Sequence, residues 1–241
     1  MNTLIVTGGS QGIGAATCRL AAQRGWAVCF SYSQDVEAAD RVAADITAAG
    51  GRALPQRADA SDEAAVIALF DAAAELGPIT ALVNNAGITG PVSDIADLEA
   101  AALDRVLAVN VRGAYLALRE AARRMDAGGA IVNVSSRASQ LGSPGEWVHY
   151  AASKGAVDTL TIGAARELAP RGIRVNAVLP GLVETGIHMK AGKPDRVAQM
   201  GPSIPMRRAG TALEVAAVIM WLLSDEAAYV TGALLPVSGG R

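Results

Sequence analysis

Short apolar stretches rich in β-branched residues alternate along this chain with longer alanine-rich stretches in which apolar residues recur every three or four positions. The first kind is typical of buried strands and the second of amphipathic helices. This alternation predicts repeated βα units and an α/β fold built on a parallel sheet. Seven strands are predicted, at Thr3–Thr7, Ala27–Tyr32, Arg52–Ala58, Ala81–Asn84, Ala130–Ser135, Arg174–Leu179 and Leu234–Val237. Helices are predicted at Gly12–Arg24, Val36–Ala49, Glu63–Leu76, Leu98–Arg124, Tyr150–Ala169 and Leu213–Leu223.

One long stretch follows neither pattern. From Pro180 to about Gly210 the chain is irregular and rich in glycine and proline. A loop of this length inside a compact domain is usually functional or mobile. We therefore interpret residues 181–210 as a lid over a substrate site, with a surface excursion as the alternative. Because no repeat or linker divides the chain, we expect residues 1–241 to form a single domain.

The charge balance limits the classes of partner. Lys and Arg number 21 against 23 Asp and Glu, a formal net charge of -2. This balance gives no electrostatic footprint for nucleic acid or an anionic membrane, so small molecules or other copies of the chain are the expected partners. The first predicted strand begins almost at once, with no leader or long apolar segment before it, which predicts a cytoplasmic protein. Cys18 and Cys29 lie among apolar residues and are expected to be buried thiols.

A glycine-rich turn, Thr7-Gly-Gly-Ser-Gln-Gly-Ile-Gly14, lies between the first predicted strand and the first predicted helix. Glycines at such a turn let the main chain approach a pyrophosphate, and the N–H groups of the helix N-terminus point at it. The spacing is wider than in the usual Gly-x-Gly-x-x-Gly fingerprint. The turn nevertheless predicts a dinucleotide site because of its position between strand and helix.

The end of the second strand bears on the choice of nucleotide. Tyr32, flanked by Ser31 and Ser33, stands where NAD-preferring enzymes often carry an acid for the ribose 2′-hydroxyl. The absence of an acid there favours NADP(H) over NAD(H). We interpret the nearby Asp35 as the N-cap of the next helix. At the end of the third strand, Asp59 either contacts the adenine or caps a turn.

Asparagines at two places are unusual for their surroundings. Asn84-Asn85-Ala86-Gly87 ends the fourth strand, and buried amides need partners, so we expect this cluster to tie strands together and to bring the main chain close to a cofactor. Asn110 is a poor helix former among apolar residues of a predicted helix. It either kinks that helix or holds a water on a proton path, or it is a core asparagine with its hydrogen bonds satisfied.

Tyr150-Ala-Ala-Ser-Lys154 carries the chemistry. Four positions apart on a helix, the Tyr150 phenol and the Lys154 ammonium point the same way. A phenol titrates near pH ~10, and we expect the ammonium together with a cationic cofactor ring to lower that pKa, which suits a general acid or base. Ser136, after the apolar run Ile131–Val134, can donate a hydrogen bond to a carbonyl oxygen. Tyr-x-x-x-Lys also occurs on ordinary helix surfaces, so the pair alone is weak support.

Taken in order along the chain, these motifs and Pro180-Gly181 resemble the single-domain branch of the short-chain dehydrogenase/reductase family. The resemblance implies a Rossmann-type, doubly wound parallel seven-stranded sheet flanked by helices. It implies a catalytic set in which Ser136 orients the carbonyl, Tyr150 is the acid/base, Lys154 binds the nicotinamide ribose and lowers the Tyr150 pKa, and Asn110 holds a relay water. It also implies cofactor contacts from Gly8, Ser10, Gln11, Gly12, Ile13, Gly14, Tyr32, Ser33, Asp59, Ala60, Asn85, Ala86, Gly87, Tyr150, Lys154, Pro180, Gly181, Val183 and Thr185.

The chain also departs from the family pattern. Gln11 stands where NADP-preferring members often carry a basic residue, and Arg137 has an apolar counterpart in other members, so it either lines the pocket or faces solvent. The segment Leu141–Tyr150 looks like that of bacterial oxidoreductases without a characterised substrate. The tail from Tyr229 to Gly240 looks like the one that many members use in tetramer contacts, which implies a homotetramer or a dimer.

The resemblance implies an NADP(H)-dependent oxidoreductase that transfers hydride between nicotinamide and a carbonyl or secondary alcohol. Alternatives are a β-ketoacyl carrier-protein reductase, an NAD(P)-dependent sugar dehydrogenase of the glucose type, and a dinucleotide-binding sensor without catalysis. The Tyr–Lys spacing does not suit the family's enoyl reductases. For the carrier-protein reductase, Arg119, Arg123 and Arg124 would meet the acidic carrier, although a solvated helix end explains them as well.

The two histidines, His149 and His188, share no metal-ligand spacing with acids or cysteines, so no metal site is expected. We expect His149 to line the substrate pocket or to pack near it, because Tyr150 already provides the acid.

Overall fold

The computed structural model describes residues 2–241, except for the side chains of His188 and Lys190. The strands are β1 Thr3–Val6, β2 Ala27–Tyr32, β3 Arg52–Arg57, β4 Ile79–Asn84, β5 Ala130–Val134, β6 Arg174–Pro180, β7 Val183–Glu184, β8 Gly210–Thr211 and β9 Leu234–Val237. The helices are α1 Gly12–Gln23, α2 Val36–Ala48, α3 Glu63–Ala74, α4 Ala100–Leu107, α5 Gly113–Arg124, α6 Ala138–Leu141, α7 Val148–Leu168, α8 Ile187–Lys190, α9 Arg196–Met200 and α10 Ala212–Leu223.

Seven of the strands form one parallel sheet in the order β3-β2-β1-β4-β5-β6-β9. At its centre, Ile5 of β1 pairs with Cys29 of β2 on one side and with Leu82 of β4 on the other. The strand order reverses between β1 and β4, and ligands of open α/β sheets bind outside the carboxyl ends of the strands at such a reversal. The predicted doubly wound, Rossmann-type sheet is confirmed.

Helices cover both faces of this sheet because successive strand residues point to opposite sides. Leu4, Val6 and Phe30 belong to an apolar cluster that α1, α2 and α10 cover. Ile5 belongs to a second cluster on the other face, which α3, α5 and α7 cover and which includes Phe70. Hydrophobic burial on both faces therefore fixes the sheet and with it the edge where the strands end.

The predicted strands and most helices lie within two residues of the observed ones. The helix predicted at Leu98–Arg124 is interrupted: a π-helical turn, Ala108–Arg112, separates α4 from α5, and Asn110 lies in it. The prediction of Cys18 and Cys29 as buried thiols is confirmed. Burial raises the pKa of both, that of Cys29 to about 12.

The stretch that we expected to be irregular, residues 181–210, contains short elements. The two-residue strands β7 and β8 pair in parallel, Val183 with Gly210, and so join the two ends of the stretch, while α8 and α9 lie between them. Elements of two to five residues are too short for a periodic pattern, which is why the sequence did not indicate them. Within the described residues, no helix is long and apolar enough to cross a membrane.

Candidate active site

A cavity of about 870 Å³ opens at the carboxyl ends of β1, β2, β4, β5 and β6. Its volume lies in the range of about 300–1,000 Å³ that is usual for small-molecule and cofactor sites. All the predicted site residues except Gly14 and Asn110 line it, and those two pack directly behind its wall. The residues that line it and were predicted are Gly8, Ser10, Gln11, Gly12, Ile13, Tyr32, Ser33, Asp59, Ala60, Asn85, Ala86, Gly87, Ser136, Tyr150, Lys154, Pro180, Gly181, Val183 and Thr185.

The glycine-rich turn is held against the end of β4. Asn85 Nδ2 donates to the main-chain oxygens of Thr7 (3.0 Å) and Gly8 (2.9 Å), and the Thr7 hydroxyl accepts from the main-chain N–H groups of Asn85 and Ala86. The expectation that the asparagine cluster ties neighbouring strands together is confirmed.

Glycine is required in this turn. Gly8 and Gly12 have φ of +65° and +53°, a region that side chains disfavour. A Cβ on Gly14 would overlap the main-chain oxygen of Gly8. The turn therefore presents bare main chain and the N-terminus of α1 to the cavity, which fits the pyrophosphate of a dinucleotide.

The end of β2 shows how Asp35 is used. Its Oδ1 accepts from the Ala38 N–H at 2.9 Å, so the predicted N-cap of α2 is confirmed. Its Oδ2 accepts from Gln11 Nε2 at 2.5 Å. Arg57, which the sequence reasoning missed, donates from Nε to the main-chain oxygen of Ser33 at 3.3 Å. We call the end of the cavity that is lined by the glycine-rich turn and Asp35 the nucleotide end. Only the pairing of β2 with β3, which sets Tyr32 beside Arg57, brings this cation near that end.

Asp59 forms a turn and an ion pair. Its Oδ1 accepts from the N–H and the hydroxyl of Ser61, and its Oδ2 accepts from Arg105 Nη2 at 2.8 Å. Partial burial raises the pKa of Asp59, but the hydrogen bonds from Ser61 and Arg105 lower it further, and the net pKa is lowered. The turn-capping interpretation is therefore correct, and the adenine contact stays a prediction because Asp59 also lines the cavity.

Ser136, Tyr150 and Lys154 meet in the middle of the cavity. Lys154 Nζ lies 5.8 Å from the centroid of the Tyr150 ring and donates to the main-chain oxygen of Val134 at 2.8 Å. Ser136 lies beside the Tyr150 phenol, whose pKa its hydrogen bond lowers. The preceding Ser135 instead donates to the main-chain oxygen of Lys154 at 3.2 Å. Both serines line the cavity, but the second one, Ser136, is the serine whose hydroxyl is hydrogen-bonded to the phenol.

The lowering of the Tyr150 pKa that we expect from the Lys154 ammonium together with a cationic cofactor ring stays a prediction. Burial raises the pKa of Tyr150, and the hydrogen bond with Ser136 offsets this only in part. Burial also lowers the pKa of Lys154 to about 8, against the opposing charge of Asp158. Desolvation therefore disfavours both the phenolate of Tyr150 and the ammonium of Lys154.

Asn110 is fully hydrogen-bonded in the π-helical turn. Its Oδ1 accepts from the Ile88 N–H at 2.8 Å, and its Nδ2 donates to the Ile88 oxygen at 2.8 Å and to the Ser153 hydroxyl at 2.9 Å. A Cβ added to Gly87 would lie 3.2 Å from Lys154 Nζ and 3.3 Å from Asn110 Oδ1. Asn110 is thus both a satisfied core asparagine and part of a helix irregularity directly behind the site.

The end of the cavity beside Ser136 and Trp147, which we call the substrate end for the function proposed below, is lined by side chains from distant segments. Of the two positions considered for Arg137, in the pocket lining or facing solvent, the structure shows the first. Its Nε donates to the main-chain oxygen of Arg241 at 2.7 Å. Arg196 lies 4.7 Å over the Trp147 ring and forms an ion pair with Glu146. No local sequence signal identified Arg196 or Arg241 as part of the site.

His149 does not join this group. His149 does not line the cavity; it is buried behind it, with Nε2 2.9 Å from the main-chain oxygen of Thr89. The side chain of His188 lies outside the described residues. Among the residues that are described, no group of three or more His, Cys, Asp or Glu side chains stands together as a metal site.

The arginines considered for an acidic carrier are engaged in ion pairs. Arg119 and Arg123 bind Glu120, whose side chain is buried, and Arg119 also binds Glu63 at 2.7 Å. Arg124 pairs with Asp71 at 2.6 Å. The three arginines are therefore not simply solvated at the helix end. Their positive charges are paired with carboxylates of the same chain.

The chain is similar over its length to known oxidoreductases. A family model described as enoyl-(acyl carrier protein) reductase matches residues 8–241. The uncharacterized oxidoreductase YgfF of Escherichia coli (strain K12) is 51% identical over 247 residues, with 100% of each chain covered. The chain belongs to the short-chain dehydrogenase/reductase family. As a member of it, the chain is an NAD(P)-dependent oxidoreductase that transfers hydride between alcohols and carbonyl compounds.

Two further short-chain dehydrogenases/reductases are similar over nearly the whole length. Cis-4-hydroxycyclohexanecarboxylate dehydrogenase of Sinomonas cyclohexanicum is 46% identical, covering 98% of this chain and 94% of that one. The crystal structure of a short-chain dehydrogenase from Burkholderia cenocepacia in complex with NADP has a TM-score of 0.92 and 37% identity, covering 98% and 96% of the two chains. The family and the fold that the sequence motifs implied are confirmed.

Proposed function

We propose that this chain is an NADP(H)-dependent oxidoreductase that interconverts a carbonyl compound and a secondary alcohol, with Tyr150 as its acid/base. One observation carries the proposal: Ser136, Tyr150 and Lys154 meet in the same cavity as the bare main chain of the glycine-rich turn. A nucleotide bound along that turn would have its far end beside the phenol. General acid/base chemistry requires this closeness before any matching of pKa values.

In reduction, Tyr150 donates its phenolic proton to the substrate oxygen while the Ser136 hydroxyl donates a hydrogen bond to the same oxygen. A bound nicotinamide supplies the hydride in that direction and accepts it in the other. Lys154 keeps one N–H on Val134 and uses its remaining donors for the ribose hydroxyls of the cofactor. The Lys154 charge favours the phenolate of Tyr150, whereas burial opposes it; a cationic oxidised cofactor held by Lys154 would favour the phenolate further.

Asn110 is assigned a positioning role and a place on the path that returns the proton to solvent. Its amide holds both main-chain groups of Ile88, next to Gly87 and Lys154. π-Helical turns are frequent at functional sites. A water held at this turn would connect Lys154 and Tyr150 to bulk solvent.

The preference for NADP(H) rests on the nucleotide end. No acid stands at Tyr32, the Asp35 carboxylate is held by Ala38 and Gln11, and Arg57 lies at Ser33. The test is calorimetry of NADPH and NADH with the purified protein. We expect NADPH to bind at least about tenfold more tightly, roughly 1.4 kcal/mol. Equal or tighter NADH binding would contradict the preference and would make alcohol or sugar oxidation with NAD the leading function.

The test of the catalytic assignment is Tyr150→Phe. We expect turnover of ketones with NADPH to fall about 10²–10⁴-fold, the usual contribution of general acid/base catalysis. Affinity for NADPH should stay within a factor of about two, because the change removes only a hydroxyl. Retained turnover would reject the role of Tyr150. If the unaltered protein binds NADPH but turns over no ketone or alcohol in a broad panel, the result would favour the alternative of a dinucleotide-binding sensor without catalysis.

Enoyl reduction, which the matching family model names, is not part of the proposal. Tyr150 and Lys154 stand one helical turn apart, and the site presents Ser136 to a carbonyl or alcohol oxygen. A direct comparison of ketones with α,β-unsaturated thioesters checks this choice, and faster reduction of the thioesters would reverse it.

We also propose that residues 1–241 act as one domain, with residues 181–210 as the lid on the substrate side. Ile187, Ala191 and Arg196 of this stretch line the cavity, and pairing of β7 with β8 anchors its two ends. Protection of the stretch from hydrogen exchange on addition of NADP⁺ is the expected result.

A homotetramer or dimer is proposed from the exposed apolar side chains outside the cavity. Tyr229 is fully exposed, and Tyr115 and Leu213 are more than half exposed. Sedimentation equilibrium measures the outcome directly, and a particle of 24.5 kDa, the mass of one chain, would contradict the proposal.

A further inference from the structure

Charge is divided unequally along the cavity. Its acidic lining residues, within the part of the chain that the structure describes, are Asp35 and Asp59, and both lie at the nucleotide end. Three arginines, Arg137, Arg196 and Arg241, line the other end, beside Ser136 and Trp147. The substrate end is therefore a cationic pocket next to the reacting phenol.

The arginines are only partly neutralised. Glu146 pairs with Arg196, which holds the pKa of that carboxyl below its usual range. Neither Arg137 nor Arg241 has an Asp or Glu side-chain carboxylate within 4.0 Å among the described residues, although Arg137 Nε already donates to an oxygen of Arg241 at 2.7 Å. Partial burial lowers the pKa of Arg241, and the charges of Arg196 and Arg137 lower it further against the opposing charge of Glu146. Repulsion between partly buried guanidinium groups is unfavourable unless an anion enters between them.

The fold holds the Arg137 side chain and the main chain at Arg241 in position. The Arg241 main-chain oxygen accepts from Arg137 Nε at 2.7 Å and from the Ser238 hydroxyl at 2.9 Å. Gly239 and Gly240 turn the chain back with φ of +64° and +91°, and the Gly239 oxygen accepts from the Met206 N–H. These contacts fix the Arg137 side chain and the main chain that carries Arg241 before any ligand arrives, which favours a specific anion site.

We propose that the substrate carries a carboxylate, which Arg137 and Arg241 bind while its carbonyl or alcohol group lies at Tyr150. This inference rests on the proposed function and adds the substrate class to it. Apolar side chains of Leu141, Trp147 and Leu182 line the same end and accommodate the carbon skeleton between the two polar groups. Guanidinium groups suit a carboxylate because their planar forks donate two parallel hydrogen bonds. Arg196 acts through Glu146 and Trp147 and is a positioning residue.

The kinetic test uses matched ketones with NADPH: 4-oxopentanoate and 5-oxohexanoate against their methyl esters. We expect at least one acid to have a kcat/KM about tenfold or more above its ester. Arg137→Gln and Arg241→Gln should each lower kcat/KM for that acid about tenfold to a hundredfold, the range for losing a charge-assisted hydrogen bond. The same variants should leave the esters within about twofold. Arg41→Gln, which removes an equal charge from the exposed surface of α2, is the matched control.

A binding measurement separates this inference from the proposed function. Calorimetry of the protein–NADP⁺ complex with hexanoate and with hexanamide needs no turnover. Tighter binding of hexanoate, lost in Arg241→Gln and partly kept in Arg241→Lys, supports the carboxylate site even if no ketone is reduced. Equal binding of the two probes, or esters reduced as well as acids, would overturn the inference, and in the second case the proposed reductase activity would stand.

Discussion

The two ends of the cavity are built differently. At the nucleotide end, main-chain groups form the surface of the cavity. Thr7 and Asn85 hold the turn after β1, and Gly8 and Gly12 carry no side chains that would cover its main chain. At the substrate end, side chains from four separate segments meet, represented by Arg137, Trp147, Arg196 and Arg241. The first end lies on consecutive strand ends, whereas the second depends on the long stretch after β6 and on the residues after β9.

The nucleotide end therefore carries the cofactor chemistry that members of the family share, whereas the substrate end carries the substrate specificity of the individual chain. Main-chain groups at strand ends recognise a cofactor with little dependence on side chains. Side chains on loops can be exchanged without disturbing the sheet, so they set the substrate. Lys154 stands between the two ends, and changing it should affect both.

Lys154→Met gives the largest expected effect. Loss of the ammonium should lower kcat/KM for ketones about 10²–10⁴-fold, as expected when the phenol loses its charged partner. It should also weaken NADPH binding, because the ribose loses its donors. Steady-state kinetics and calorimetry measure both. Lys193→Met, at an exposed lysine of the proposed lid, is the control and should keep most of the activity.

The same variant gives a stability test with a defined sign. Burial lowers the folded-state pKa of Lys154 from 10.5 to about 8, so below pH 8 the buried charge costs about 3 kcal/mol of unfolding free energy. This cost falls as the pH rises from about 8 to 10.5, because the folded state releases the proton first. Urea unfolding of Lys154→Met should therefore show about 1–3 kcal/mol more stability than the unaltered protein at pH 7. The difference should shrink at pH 10; a constant difference would contradict the burial argument.

Gly14→Ala tests the nucleotide end alone. The added Cβ would overlap the Gly8 oxygen and lie 2.6 Å from Asn85 Nδ2, so the turn must shift. We expect about 1–3 kcal/mol of lost stability and weaker binding of NADPH and NADH alike. The preference for acids over esters should be unchanged in the remaining activity. Gly163→Ala, in α7 with no atom within 4 Å of the new Cβ, should instead stabilise the fold by up to about 1 kcal/mol.

Arg57→Gln should have the smallest effect. Its charge lies at Ser33 and is exposed, and exposed charges contribute up to about 1 kcal/mol. We expect NADPH affinity to fall about threefold to fivefold with NADH affinity unchanged. Arg52→Gln, at the opposite end of the same strand β3, is the matched control. Equal losses of affinity for NADPH and NADH would mean that Arg57 does not bind the 2′-phosphate.

Much of the nucleotide end was predictable from the sequence because its determinants are local. The period of the apolar residues indicated the strands and helices, and the glycine-rich turn and Asn84–Gly87 directly follow two of those strands. Tyr150 and Lys154 share a helix face through their spacing alone. Asp35 was recognised as an N-cap for the same reason, since a cap and its helix are neighbours in the chain.

The tertiary structure alone decided the features that depend on distant contacts or on burial. It placed Asn110 in a π-helical turn bonded to Ile88, set His149 behind the wall rather than in the cavity, and brought Arg57 beside Ser33. Burial in the folded chain also raises the pKa of Tyr150, an effect that no local pattern shows, because desolvation depends on everything that surrounds a group. Arg137 and Arg241 are 104 positions apart and meet only when the sheet is complete. Local patterns therefore determined the family and its chemistry, whereas long-range packing decided the electrostatics of the substrate end.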